Sequence, residues 1–305
     1  MKKSDQLFLS IYPLVYKITR RIFFLSRNVN AKKHRIIKEH ILTNYKDIID
    51  GYRNVDYISS SPIEKNCPIW IMWWQGEDFM PEIVNICYRS VCEYADNHDV
   101  HLITKESYKE YIRNYEIEMC MTNGKISLAY FSDIMRCYLL YTYGGIWLDA
   151  TLLLTSPIDE FIGNSSFYTG RRLDVSDNYF VAQGKWTSYL CGGIKGNLFY
   201  LYMMKMLVEH IQKEEKIIDY FMVDYFFTLA YENFPFVKRM LESVPPVPAL
   251  LAKMMSNMND TFDEVEYECL IRKIPFHKLT YKMLLRENTN SDKMTYYGFL
   301  KKRFL

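Results

Sequence analysis

The sequence predicts an α/β fold with a mainly parallel sheet, and three observations predict it. Short β-prone runs at residues 69–74 and 101–104 alternate with helical segments, the order that builds parallel sheets. An apolar helical run over 127–143 stops at Gly144-Gly145 and resumes as the strand-like triplet Ile146-Trp147-Leu148. Hydrophobic residues make up 49% of a 305-residue chain, enough for a substantial core.

The N-terminal residues carry an amphipathic signal. Leu7, Ile11, Leu14, Ile18 and Ile22 recur at helical spacing, with Lys17, Arg20, Arg21 and Arg27 around them. A basic amphipathic helix of this kind suits an anionic membrane surface, so residues 1–30 are expected to make a peripheral membrane contact. The other reading is a helix packed on the domain that follows. Residues 41–65 read as a connector, with Gly51 and Ser59-Ser60-Ser61-Pro62 as turn signals. The expected organisation is thus an extension over 1–62 and a main α/β domain over 63–305.

The first strand of that domain, Ile69-Trp70-Ile71-Met72-Trp73-Trp74, ends at the polar loop Gln75-Gly76-Glu77-Asp78. Pro81 opens a helix to about residue 95, and residues 105–113 form a second helix after the strand at 101–104. Ligands of such folds gather where sheet strands end, so nucleotide binding is expected there. Gly-x-Gly-x-x-Gly and Walker-type loops do not occur, which weakens oxidoreductase and kinase readings.

The helix over 127–143 is almost free of charge. Between Leu128 and Tyr141 its only charged residues are Asp133 and Arg136, three apart on one face. Such a pair is either a buried structural ion pair or half of a polar site. Asp149 follows the strand Ile146-Trp147-Leu148, where a carboxylate suits a metal or a phosphate, or simply caps a turn before Thr151.

Further on, Leu152-Leu153-Leu154 reads as a strand and residues 167–189 as an aromatic, loop-rich stretch. A helix follows Lys195-Gly196-Asn197, and residues 217–225 open another. In that segment Asp219 has the default role of an N-cap, whereas Asp224 interrupts an apolar aromatic helix. Val244-Pro245-Pro246-Val247-Pro248 breaks the helical pattern before Pro275-Phe276-His277-Lys278-Leu279-Thr280-Tyr281-Lys282.

Composition narrows the function. A net charge of +2 gives no electrostatic footprint for nucleic acid, so no nucleic-acid partner is expected. Seven dispersed cysteines without a Cys-x-x-Cys pair read as reduced core thiols of a cytoplasmic protein. No apolar run reaches the roughly 18 residues of a membrane span.

Ser132-Asp133-Ile134-Met135-Arg136 together with Gly144-Gly145-Ile146-Trp147-Leu148-Asp149-Ala150-Thr151 resembles the bacterial capsular polysaccharide synthesis proteins. That family is related to glycosyltransferase family 32 and, more distantly, to the large clostridial glucosylating toxins. The resemblance runs from about residue 68 to 282 and includes Asp219-Tyr220-Phe221-Met222-Val223-Asp224 and the His277-Lys278-Leu279 element. It implies a GT-A-type mixed sheet flanked by helices, with an N-terminal helical extension. It also implies a retaining glycosyltransferase that moves a sugar from a nucleotide sugar, UDP-linked, to a capsular polysaccharide or lipid-linked saccharide at the inner face of the cell membrane.

The resemblance assigns roles residue by residue. Asp133 and Arg136 hold the donor sugar, Asp149 binds Mn²⁺ or Mg²⁺, and Asp224 contacts the sugar or acceptor. Trp73 or Trp74 stacks on the base, and Gln75 and Trp147 are expected beside them as nucleotide-sugar-binding residues. Thr151 and His277 complete the metal site, while Lys278 and Lys282 neutralise diphosphate. One departure matters: the wider superfamily has Asp-x-Asp where this chain has Asp149-Ala150-Thr151. Loss of the second carboxylate keeps an inactive scaffold in view, and a carboxylate pair such as Asp149 and Asp224 would be needed by a glycoside hydrolase.

Overall fold

The computed structural model describes residues 1–57, 61–122, 124, 126–175 and 177–305. Ser59 and Ser60, part of the expected turn signal, lie outside them. The central sheet has five strands: β1 (Ile69–Met72), β2 (Val100–Ile103), β3 (Gly145–Leu148), β5 (Phe167–Thr169) and β6 (Leu190–Gly193), in the order β2-β1-β3-β6-β5. A separate antiparallel pair joins β4 (Leu152–Leu154) to β7 (Phe276–Lys278).

The sheet is mixed. β1 runs parallel to β2 and β3, as strand–helix alternation predicts, but β6 pairs antiparallel with both β3 and β5. Both late strands fall inside or just after the stretch expected to be loop. They are three and four residues long, too short for a periodic signal.

The Leu128–Thr142 helix begins at Ser127, whose hydroxyl accepts the Tyr130 N–H at 3.2 Å. It ends where the sequence places its stop. Gly144 and Gly145 have φ of 75° and 101°, and a Cβ on Gly145 would stand 2.1 Å from the Pro68 carbonyl oxygen. The sharp turn therefore needs glycine, and it sends the chain into β3 directly beside β1.

Three expectations are corrected here. The connector is helical, with Lys46–Arg53 burying Ile49 and Tyr52 after the Phe23–Asn44 helix. Ile37, Ile41, Tyr45 and Ile49 belong to the same core cluster as β1 and β3, so this part of the extension packs as a wall of the domain. The helix expected over 105–113 shrinks to Tyr108–Tyr111, and residues 217–221 precede the helix Met222–Asn233.

The N-terminal helix, Lys3–Thr19, has two unlike faces. Tyr12 is buried and donates its hydroxyl to Asn30 Oδ1 at 2.8 Å, while Tyr16 lies 4.9 Å ring to ring from Tyr179. The stripe read from the sequence points outward, with Leu7 63% and Ile18 69% exposed and Ile11, Leu14 and Ile22 also exposed. No described helix is long and apolar enough to cross a membrane.

Candidate functional site

A cleft of about 1250 Å³ opens at the C-terminal ends of β1 and β3. Met72 and Trp73 come from β1 and its end, and Asp149 and Thr151 from the end of β3. The Leu128–Thr142 helix contributes Asp133 and Arg136, the 172–189 loop Trp186 and Tyr189, the 217–224 segment Asp219 and Asp224, and the β7 end Lys278 and Lys282. A helix, three strand ends and two further segments distant in sequence thus meet in one concavity, where ligands of such sheets gather.

Its charged centre is a chain of contacts. Arg136 donates from Nη1 to Asp133 Oδ1 at 2.6 Å and from Nη2 to Asp149 Oδ1 at 3.1 Å. Trp147 adds its indole N–H to the same Asp149 oxygen at 3.0 Å, and its ring lies under the Arg136 guanidinium at 5.1 Å. Lys278 Nζ lies 3.6 Å from Asp149 Oδ2 and donates a hydrogen bond to Thr151 Oγ1. The helix pair and the strand-end carboxylate, separate motifs in the sequence, form one network.

Burial and charge then set the protonation of these groups. Burial pushes the Asp133 carboxyl up to about 6, against the pull of Arg136. For Asp149, burial also opposes ionisation, but Arg136 and Lys278 outweigh it and hold the carboxyl below its usual range. Asp224, which accepts the Trp186 indole N–H at 3.1 Å, has its carboxyl pushed up to about 7 by burial. Of these three carboxyls, Asp149 is held ionised while burial raises Asp133 and Asp224.

The aromatic and polar assignments now separate. Trp73 lines the cleft, edge-on to Tyr281 at 5.6 Å, whereas Trp74 packs on Tyr108 and Phe131 at 5.1 and 5.8 Å. Successive residues at a strand end point to opposite sides, so only one of the two reaches the cleft. Gln75 sits exposed in the turn closed by the Gly76 N–H to Trp73 carbonyl bond and does not line the cleft. Trp147 is 1% exposed, so it anchors the carboxylate instead of offering a stacking face.

His277 is the main displacement. It is fully buried, both ring nitrogens lack a hydrogen-bond partner, and burial lowers its pKa to about 4. In β7 it pairs with Leu153 while its neighbour Lys278 pairs with Leu152, and only Lys278 lines the cleft. The strand's two-residue period turns the imidazole away from Asp149. Cys92, expected in the core, is likewise exposed.

The expected Mn²⁺ or Mg²⁺ does not fit this donor set. Asp149 Oδ1 is taken by two donors, the Thr151 hydroxyl accepts from Lys278, and His277 is out of reach. Among the described residues no group of three His, Cys, Asp or Glu side chains converges for a metal. What remains of the expected protein donors is Asp149 Oδ2, beside the cations Arg136 and Lys278 that already neutralise this carboxylate.

The fold also makes contacts around the cleft that the sequence does not signal. Trp186 stacks on Phe227 at 4.3 Å and so orients its N–H on Asp224. Asp219 is not the helix N-cap, which is Phe221; its Oδ1 accepts the Phe221 N–H at 2.9 Å and its Oδ2 takes Lys33 at 3.0 Å. Asn30 reaches Asn178 at 3.2 Å, and His34 contacts the Asn178 carbonyl and the Tyr225 hydroxyl. The Phe23–Asn44 helix therefore holds the cleft residue Asp219 through Lys33, and Asn178 through Asn30 and His34.

Comparison with known proteins gives the remaining findings. No curated protein matches the chain. Among solved structures, the chain is similar to one named PaToxG Glycosyltransferase at 14% identity and a TM-score of 0.42, over 79% of this chain and 94% of that one. The profile of the capsular polysaccharide synthesis protein matches residues 19–300, across both motifs and every element that walls the cleft. The chain belongs to the capsular polysaccharide synthesis protein family.

Proposed function

We propose that the chain is a retaining glycosyltransferase that uses a UDP-sugar to extend a saccharide or lipid-linked saccharide of a capsule. The observation that carries this reading is the Asp133–Arg136–Asp149 network at the strand ends, set in a cleft with an aromatic wall and two lysines. Trp73 stacks on the base, Asp133 and Arg136 grip hydroxyls of the donor sugar, and Lys278 and Lys282 face the diphosphate. Lys282 has no ion-pair partner among the described residues, so its charge is available to a phosphate.

In the reaction the bond from C1 to the diphosphate oxygen breaks, and its electron pair stays on that oxygen. The acceptor hydroxyl oxygen bonds to C1 from the same face, and its proton passes to the departing phosphate oxygen. The protein's part is to place positive charge where negative charge grows and to hold the acceptor hydroxyl beside the departing oxygen, on the same face of C1. Asp224, close to neutrality in its titration, accepts a hydrogen bond from an acceptor or sugar hydroxyl.

The partner surface proposed for residues 1–30 is anionic lipid. Leu7, Ile11, Leu14, Ile18, Ile22 and Phe24 are exposed, with Lys17, Arg20 and Arg21 exposed beside them. Apolar insertion and attraction of basic residues then act on the same surface.

The test of the reaction is incubation with a panel of nucleotide sugars and saccharide acceptors, following nucleotide release and product linkage. UDP release with an α-linked product supports the reading. Hydrolysis of finished polysaccharide alone points to a glycoside hydrolase, and failure to bind any nucleotide sugar points to a scaffold.

A further inference from the structure

We propose that Lys278 is the resident cation of the diphosphate subsite and that the donor binds without a divalent metal. The inference rests on the nucleotide-sugar reading and deepens it. It starts from the chemistry a diphosphate demands: positive charge beside the oxygen that becomes the leaving group, supplied by a metal ion or by fixed ammonium and guanidinium groups.

Three contacts fix the Lys278 ammonium where the strand-end motif points. Nζ donates to Thr151 Oγ1, lies 3.6 Å from Asp149 Oδ2, and stands 5.7 Å from the centre of the Tyr189 ring. The backbone holds the lysine there as well. Leu152 pairs with Lys278 across the β4–β7 ladder, and the Leu279 N–H donates to the Thr151 carbonyl at 2.9 Å. Lys278 is thus tied through its main chain to the residue that stands where the wider superfamily has its second carboxylate.

The substitution and the lysine explain each other. A carboxylate at position 151 would create a two-acid cup for a divalent ion, whereas a threonine hydroxyl can only accept the ammonium's hydrogen bond or donate one itself. With Thr151 there, Asp149 is, among the described residues, the one carboxylate paired with Lys278, and it is shared with Arg136. A divalent ion placed between Asp149 and Thr151 would have to displace Lys278 and sit beside Arg136. The ammonium already delivers charge at that place, without a ligand set the chain does not assemble.

The experiment is calorimetric titration of the full chain with UDP, in EDTA and separately in Mn²⁺, for the unaltered protein, Lys278→Met and Lys278→Arg. Equal UDP affinity in EDTA and in Mn²⁺ is expected for the unaltered protein. Lys278→Met is expected to weaken UDP by about tenfold or more, the loss of one charge-assisted contact, with no recovery on adding Mn²⁺. Lys278→Arg keeps most of the affinity. Melting temperature checks that each variant is folded, and the EDTA comparison needs no variant at all. Binding that requires Mn²⁺, or UDP affinity unchanged by Lys278→Met, overturns the inference while leaving the nucleotide-sugar reading intact. Absence of UDP and UDP-sugar binding under every condition overturns that reading and this inference with it.

Discussion

Arg136 Nη2 lies 3.1 Å from Asp149 Oδ1, so the charged face of the 128–142 helix and the carboxylate at the end of β3 share one guanidinium. The same guanidinium also holds Asp133, and its residue is only 5% exposed. Without it Asp133 would lose its ion-pair partner, and Asp149 would keep only Lys278 and the Trp147 N–H.

Arg136→Ala is therefore expected to destabilise the protein by about 3–5 kcal/mol, the range for breaking a buried pair. Asp133→Leu combined with Arg136→Met removes charge from both partners and should restore much of that stability. The double variant should nonetheless stay inactive, because hydroxyl contacts to the donor sugar are gone. Chemical denaturation and turnover are the two measurements. Recovery of turnover along with stability would make the pair purely structural.

Asp149→Asn keeps the shape of the side chain and can still accept the Trp147 N–H. It removes the charge that orients Arg136 and Lys278. Turnover should fall by about two orders of magnitude with the fold retained, as when one preorganised electrostatic contact is lost. Activity close to that of the unaltered protein would take Asp149 out of the site.

Asp224 gives a pH signature. Its carboxyl is raised from 3.8 to about 7, so the folded protein binds this proton more tightly than the unfolded chain. The stabilisation is complete below pH about 4 and is lost as pH climbs through about 7, at most about 1.4 kcal/mol per pH unit. Compared with Asp224→Asn, the unaltered protein should therefore lose melting temperature over that window. Acceptor kcat/KM should rise around pH 7, as the folded carboxyl ionises, and flatten in Asp224→Asn. Parallel pH profiles for the two proteins would remove this role.

The two tryptophans should behave differently. Trp73→Ala should weaken UDP binding by about 1–3 kcal/mol with little change in stability. Trp74→Ala, which empties the space against Tyr108 and Phe131, should destabilise by on the order of 3 kcal/mol and leave the affinity of the folded protein intact. Calorimetry and thermal melting separate them, and an equal loss of UDP affinity in both would contradict the assignment.

For the N-terminal helix, replacing Leu7, Ile11, Leu14 and Ile18 with Ser changes only exposed side chains, so the fold should persist. Co-sedimentation with anionic liposomes should be lost in that variant. In the unaltered protein it should weaken as salt shortens the Debye length from about 10 Å at 0.1 M toward 3 Å at 1 M. Equal sedimentation of both proteins, or indifference to lipid charge, would leave the helix a packing element only.

The sequence by itself determined what local chemistry can carry. Ser127 and the glycine pair bounded a helix and turned it into a strand, because caps and positive φ are properties of one or two residues. The near-absence of charge on that helix singled out Asp133 and Arg136, and strand-end position singled out Asp149. Only tertiary structure decided between neighbours. Trp73 and not Trp74, and Lys278 and not His277, face the cleft, because strand pairing fixes which of two successive side chains points inward and composition is silent on that parity. It alone brought Lys33 to Asp219, 186 positions apart, and Trp186 to Asp224. Contacts of that span leave no periodicity in the chain; they exist only once the helices and the sheet have closed around a common core.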